Sequence, residues 1–182
     1  MADIIPKEIR RLYDERVIDN REVTMVDALT EFMPDATLFD MAVGYFYISG
    51  FEFVWDVFQV LMEKPNAKLR VLMGNQTSVS TLDVLSAGLS PESAVLDDVA
   101  HFEKEHELVL REVARWMQQG RLKVKVYTGE ANYFHAKSYL FQEDEYGLKG
   151  TAIVGSSNFS KAGLSGNTEL NTLSRDNYRS LR

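Results

Sequence analysis

Apolar and polar positions divide the chain into alternating helical and extended stretches. Residues 5–18, IPKEIRRLYDERVI, place Ile5, Ile9, Leu12 and Tyr13 on one face at helical spacing, which predicts an amphipathic helix. A second helix is expected over 23–33. FDMAVGYFYIS, 39–49, is dense in aromatic and β-branched residues and predicts a buried strand, punctuated by Ser49 and Gly50. FEFVWDVFQVLMEK, 51–64, returns to helical spacing, and Pro65 and Asn66 stop it. KLRVLMG, 68–74, is a second strand. A strand, a helix and a strand at this spacing make a βαβ unit with two parallel strands.

Residues 75–93 are a polar, Ser/Thr-rich connection with room for a short helix. A long helix is expected over 94–119, where Val99, Phe102, Val109, Val113 and Trp116 recur at helical spacing and Gly120 is placed to end it. RLKVKVYTG (121–129), FHAKSYLFQ (134–142), GTAIVGSS (150–157) and ELNTLSR (169–175) read as strands. Residues 143–149 read as an extended hairpin between the second and third of these. No repeat, low-complexity tract or interdomain linker interrupts the series. The expected fold is α/β, a mixed, mostly parallel β-sheet flanked by helices. It forms one domain over 1–182, with N-terminal helices over 1–34 and an α/β core over 35–175.

Composition narrows the class. Hydrophobic residues make up 45% of the chain and charged residues 26%, as in ordinary soluble domains. There are no cysteines, which excludes disulfides and cysteine-based zinc sites. No apolar run approaches the roughly 18–20 residues that cross a bilayer. The opening MADIIPKEIRR lacks the apolar region of a secretory signal. A cytoplasmic protein without a membrane partner is the expectation. The final NYRSLR lacks an obvious closing element, which reads as a piece of a larger protein.

The net charge of −7 argues against a general polyanion-coating protein. The charge is uneven, however. Residues 121–139 hold Arg121, Lys123, Lys125 and Lys137 against Glu130 alone, whereas residues 91–110 hold six acidic residues against Lys104. A local basic site on an acidic body can hold phosphate. A solvated acidic helix beside a strand with ordinary lysines explains the charges equally well.

The candidate chemistry lies late in the chain. Residues two apart on a strand share a face, so His135 and Lys137 are expected to project together. Alone, the pair fits an ordinary surface strand. After the next strand come Ser156, Ser157 and Asn158, where side chains and backbone N–H groups can converge on an anion. Glu169 follows Asn158 by eleven residues. An imidazole, an ammonium, a hydroxyl, an amide and a carboxylate suit phosphodiester chemistry without a metal. A neutral histidine can attack phosphorus, while lysine, serine and asparagine hold the non-bridging oxygens. A carboxylate can bind the other ring nitrogen and fix the tautomer.

HAK followed by GSSNFSKAGLSGNTEL resembles the phospholipase D superfamily, whose signature is His-x-Lys, then Gly-Ser-x-Asn, then a Glu at this spacing. His135, Lys137, Gly155, Ser156, Ser157, Asn158 and Glu169 match. AVGYFYISGF and KLRVLMG also look like the family's opening strands, so the resemblance spans 35–175. The chain departs from the pattern at Gln142, where the family often has an Asp of structural role. Nuclease branches of the superfamily often lack that Asp.

The resemblance implies a mechanism with two copies of the motif. One histidine becomes a phosphohistidine; the other protonates the leaving oxygen and then activates water. This chain has only His101, His106 and His135. His101 and His106 lie in HFEKEHE, have no lysine two residues on, do not form an HExxH zinc signature and read as solvated helix residues. One chain therefore supplies half a site, and a symmetric homodimer is the simplest completion.

The expectation is a metal-independent, cofactor-free phosphodiesterase acting on nucleic acid, with DNA as the expected substrate, beside a helicase or restriction partner. His135, Lys137, Ser156, Asn158 and Glu169 are the expected catalytic residues. Tyr133, Ser157 and Lys161 are candidate substrate contacts. Tyr45, Phe46 and Tyr47 are assigned to the core. The alternatives are a phospholipid hydrolase or phosphatidyltransferase, and a catalytically silent DNA-binding or dimerisation module.

Overall fold

The computed structural model describes residues 7–78, 81, 82, 85, 104–129, 133–144 and 149–175. The elements are α1 (Lys7–Asp14), β1 (Val17–Ile18), α2 (Met25–Phe32), β2 (Leu38–Tyr45), α3 (Ser49–Phe53), α4 (Trp55–Met62) and β3 (Lys68–Gln76). They continue with α5 (Lys104–Gln118), β4 (Leu122–Val126), β5 (Lys137–Gln142), β6 (Gly150–Gly155), a π-helical turn (Ala162–Gly166) and β7 (Asn171–Arg175). His101 and the expected helical residues 94–103 lie outside the described residues, as does most of the 75–93 connection. His106 lies on α5.

Local chemistry sets several boundaries. Thr24 caps α2 by accepting from Asp27 N at 3.1 Å while the Asp27 carboxylate accepts from Thr24 N at 2.8 Å, a reciprocal capping box. The helix expected over 51–64 is two helices. Val54 N bonds both Gly50 O at 3.3 Å and Phe51 O at 3.2 Å, which closes α3, and α4 starts afresh at Trp55. Gly120, at φ +69, ends α5 as expected.

The strands form one seven-stranded sheet in the order β1-β7-β6-β5-β2-β3-β4. It is a mixed α/β sheet, as expected, but its parallel part is smaller than "mostly". Only β2–β3 and β3–β4 are parallel; β2–β5, β5–β6, β6–β7 and β1–β7 are antiparallel. The long connections carrying α4 and α5 give parallel crossovers, whereas the short 143–149 link can only return the chain antiparallel. The N-terminal segment also differs from the all-helical expectation. Its helix ends at Asp14, and Val17 and Ile18 pair with Thr172 and Asn171 as an edge strand.

One face of the sheet is the core. Phe39, Met41, Val43, Leu69, Val71, Met73, Tyr139, Phe141 and Ile153 pack there against buried residues of α2, α4 and α5. Phe32, Phe39, Phe58 and Phe141 meet ring to ring within 5.7 Å. Full burial of each such side chain favours folding by roughly 1.5–3 kcal/mol. The other face carries Asp40, Arg70, Leu72, Lys123, Lys125 and Ser138 around a shallow groove of about 460 Å³. Gln142, at the family's Asp position, donates to the Asp40 carboxylate at 2.9 Å, and Asp40 in turn pairs with Arg70. No helix among the described residues is long and apolar enough to cross a membrane.

The register between β2 and β3 shifts between Val43 and Tyr45, with the extra residue on β3 between Met73 and Gln76. Before this irregularity, odd-numbered residues of β2 face the core. After it, Phe46 is buried and Tyr45 and Tyr47 are half-exposed.

Candidate active site

Three backbones crowd together where His135 leaves the sheet. A side chain on Gly74 would place its Cβ 2.4 Å from Gly44 O, and one on Gly44 would meet Phe134 O at 3.0 Å. Glycine permits this close approach. Pairing continues one step past β5, with Gly44 N donating to Ala136 O at 2.8 Å. Beyond it His135 is exposed, while Lys137, the first residue of β5, is only 6% exposed. The two side chains do not project into solvent together as a regular strand would place them. Lys137 Nζ instead donates to the His135 backbone carbonyl at 3.0 Å. Burial lowers the Lys137 pKa, and the charge of Glu169 opposes that shift.

On the facing segment Ser156 is exposed, Ser157 buried and Asn158 half-buried. Asn158 Oδ1 accepts from Tyr45 N at 3.0 Å. Next to it Phe46 and Phe159 form a parallel bridge, and Tyr47 N donates to Phe159 O at 3.0 Å. Asn158 is thereby fixed to the strand that carries the tyrosines. Its amide nitrogen has no hydrogen-bond partner among the described residues.

Ser156 and Glu169 are joined by a hydrogen bond in which the hydroxyl donates to the carboxylate. Leu170 N donates to Ser156 Oγ at 2.9 Å, and Asn167 Nδ2 lies 3.4 Å from the other Glu169 oxygen. The expected contact of Glu169 with the His135 ring is therefore not made within this chain. The carboxylate orients Ser156 and sits close enough to Lys137 to favour its charged form.

Ser157 is corrected from a substrate contact to a structural residue. It is fully buried, its N–H donates to Asn171 Oδ1 at 3.1 Å, and its hydroxyl accepts from Asn171 Nδ2 at 2.9 Å. Its carbonyl accepts from the Tyr139 hydroxyl at 2.8 Å. Burial and then the charge of Glu169 push the Tyr139 pKa up, so that hydroxyl keeps its proton. Lys161 is exposed, and its ammonium lies 5.6 Å from the centre of the Phe53 ring. Among the described residues it meets none of the motif side chains. Tyr133 is half-exposed, and its ring lies 5.4 Å from that of His135.

The basic cluster of 121–139 is dispersed by the fold. Arg121 donates to Lys64 O at 2.6 Å, Lys123 and Lys125 line the groove on the opposite face, and Lys137 points inward. That groove does not reach the motif residues. No group of three or more His, Asp or Glu side chains that could hold a metal occurs among the described residues.

Sequence reasoning missed the buttress behind the motif. Asn171 also reaches Ile18 O at 3.5 Å, Asn20 Nδ2 donates to Gly163 O at 2.9 Å, and Glu169 N donates to Asp19 O at 3.4 Å. Residues 18–20 thus hold both ends of the segment that follows Asn158. An isolated Asn gives no such signal in a sequence.

Comparison with known proteins agrees with the motif. Residues 36–180 match the family model described as cardiolipin synthase, PLD-like domain. Among solved structures, the chain is similar to NucT from Helicobacter pylori at 14% identity and a TM-score of 0.48, covering 91% of this chain and 86% of that one. It is also similar to Nuc, a phospholipase D family member from Salmonella typhimurium, at 12% identity and a TM-score of 0.49, covering 90% and 83%. The yeast tyrosyl-DNA phosphodiesterase aligns at 13% identity and a TM-score of 0.46, covering 85% of this chain and 28% of that one. No curated protein matches the chain.

Proposed function

Since the chain belongs to the phospholipase D-like family, we propose that it is a metal-independent phosphodiesterase that cuts nucleic acid, DNA first, through a phosphohistidine. The observation that carries this reading is the pairing of an exposed His135 with a buried Lys137 ammonium and a fixed Asn158 amide. His135 attacks phosphorus, the P–N bond forms and the P–O bond to the leaving nucleotide breaks. Lys137 and Asn158 hold the non-bridging oxygens as charge develops. Glu169 acts through Ser156, which it orients.

One imidazole cannot both attack and protonate the leaving oxygen. In this reading His135 of a second copy supplies the proton and then activates the water that hydrolyses the P–N bond. Leu170, 67% exposed and next to Glu169, supports contact at this end of the sheet. The sheet edges suit a second copy less well: β1 is two residues long and β4 carries Lys123 and Lys125.

The test is cleavage of plasmid and single-stranded DNA in EDTA by wild type beside His135→Ala, with mass from light scattering. Cleavage by a wild-type dimer alone, with a bell-shaped pH profile, is the expected result. Full loss of wild-type activity in EDTA would sink the metal-independent mechanism. The matched family description names cardiolipin synthase, which favours one second reading, phosphatidyl transfer or phospholipid hydrolysis. An enzyme inert on DNA that binds and turns over anionic liposomes would establish it. A protein that binds DNA without cutting it would be the silent module.

A further inference from the structure

Three tyrosines meet beside His135. The Tyr133 ring lies 5.4 Å from the imidazole at 32°, and Tyr45 lies 6.2 Å from Tyr133. Tyr47 follows at 6.4 Å from Tyr45, with the two planes within 3°. Tyr133 is 50% exposed and the other two are half-exposed. A break in the alternation of β2 at Gly44 puts them there. With regular alternation from Val43, Tyr45 and Tyr47 would enter the core and Phe46 would leave it. The chain instead buries Phe46 and turns two aromatic rings towards the reacting histidine. The same residue that carries the free amide of the site, Asn158, fixes the Tyr45 backbone.

The neighbouring Tyr45, then burial, pushes the Tyr133 pKa up to about 12, so the ring is uncharged at ordinary pH. Neutral aromatic faces in a row beside a phosphate-binding site suit nucleobases, whose flat faces stack without regard to sequence. A base is one sugar away from its phosphate, so a ring against the nucleophile can meet the base of the nucleotide under attack. In a duplex those faces are covered by neighbouring base pairs; in a single strand they are free.

Resting on the phosphodiesterase reading, we propose that Tyr45, Tyr47 and Tyr133 form a stacking platform that selects unpaired over paired nucleic acid. The platform sets the substrate class, and the motif residues do the chemistry.

The experiment measures binding in the His135→Ala background, where the strand is not cut. Labelled oligothymidylate is compared with an abasic strand of equal length and with a duplex. Oligothymidylate should bind at least about tenfold more tightly than either competitor. Tyr133→Ala, a change at an exposed position, should erase that advantage and leave abasic binding unchanged. Tyr133→Phe should restore it, because the ring stacks without its hydroxyl. Equal affinity for base-bearing and abasic strands, no binding of oligothymidylate, or an equal loss on both strands in Tyr133→Ala would each overturn the proposal. Cleavage by wild type is read in parallel. Base-dependent binding without cleavage would sink the nuclease reading and leave the platform standing; cleavage with base-indifferent binding would do the reverse.

Discussion

Around Ser157 every polar group has a partner, whereas at the start of β5 strong donors remain available. Ser157 gives its N–H, its hydroxyl oxygen and its carbonyl to Asn171 and Tyr139. The Asn158 amide nitrogen has no partner among the described residues, Lys137 makes one bond to a backbone carbonyl, and His135 faces solvent. Two stretches of the same motif thus do different work. A closed network lowers the free energy of one geometry and has nothing left to offer a substrate. Groups kept near one another with capacity to spare cost stability and are what a phosphate would recognise. On the proposed function, the contrast separates residues that build the site from residues that would react in it.

The largest effect should come from His135→Ala. Activity should fall on the order of 10⁴-fold or more, as the proposed nucleophile requires, with the urea midpoint unchanged, as its exposure requires. Appreciable residual cleavage would move the nucleophile elsewhere and dissolve the contrast.

Lys137→Met should cost roughly 10²–10³-fold in rate. Its effect on stability has the opposite sign. Burial lowers the native Lys137 pKa, so at neutral pH the ammonium costs stability and Met should be no less stable than wild type. As pH rises, the native state sheds this proton before the unfolded chain does. Wild type therefore gains ground on the variant up to the free lysine value near about 10.4. Urea titrations at pH 7 and pH 10 check this, and a variant less stable at pH 7 would move Lys137 to the structural side.

Asn171→Leu should behave in the reverse way. It leaves the buried Ser157 N–H unmet and should cost roughly 1–3 kcal/mol in urea unfolding. The fraction still folded should cut substrate within a few-fold of wild type. Ser156→Ala should lower the rate by less than about tenfold, because its hydroxyl is already committed to Glu169. Tyr139→Phe should be smallest, at about 1 kcal/mol of stability with unchanged kinetics. A large kinetic effect from it would mean that the closed network is part of the chemistry.

The strands that carry the motif were legible because two independent patterns coincide there. Alternation marks 134–142 and 150–157, and the residue types at 135, 137, 156, 158 and 169 suit phosphodiester chemistry as a set. The same alternation also held the correction of Ser157: if Ser156 and Asn158 face the site, the residue between them faces inward. β1 could not be read, because two residues within a stretch of helical spacing carry no period of their own. Its role comes from distant partners, Asn171 and Thr172. The pairing of Asp40 with Gln142 and Arg70 was hidden for the same reason, since register across strands is settled by the whole sheet. Tyr45 and Tyr47 were assigned to the core because an extended run gives no warning of a slipped register.

That slip makes the regularity of one strand a determinant of specificity. A strand has two sides, so a single irregular step acts like a change of reading frame for everything downstream. Straightening β2 at its present length would leave every aromatic residue of YFY in the chain and yet exchange what each one touches: phenylalanine would face outward and the tyrosines the interior. Removing Gly44 as well would restore the present arrangement, because a regular strand one residue shorter again turns both tyrosines outward.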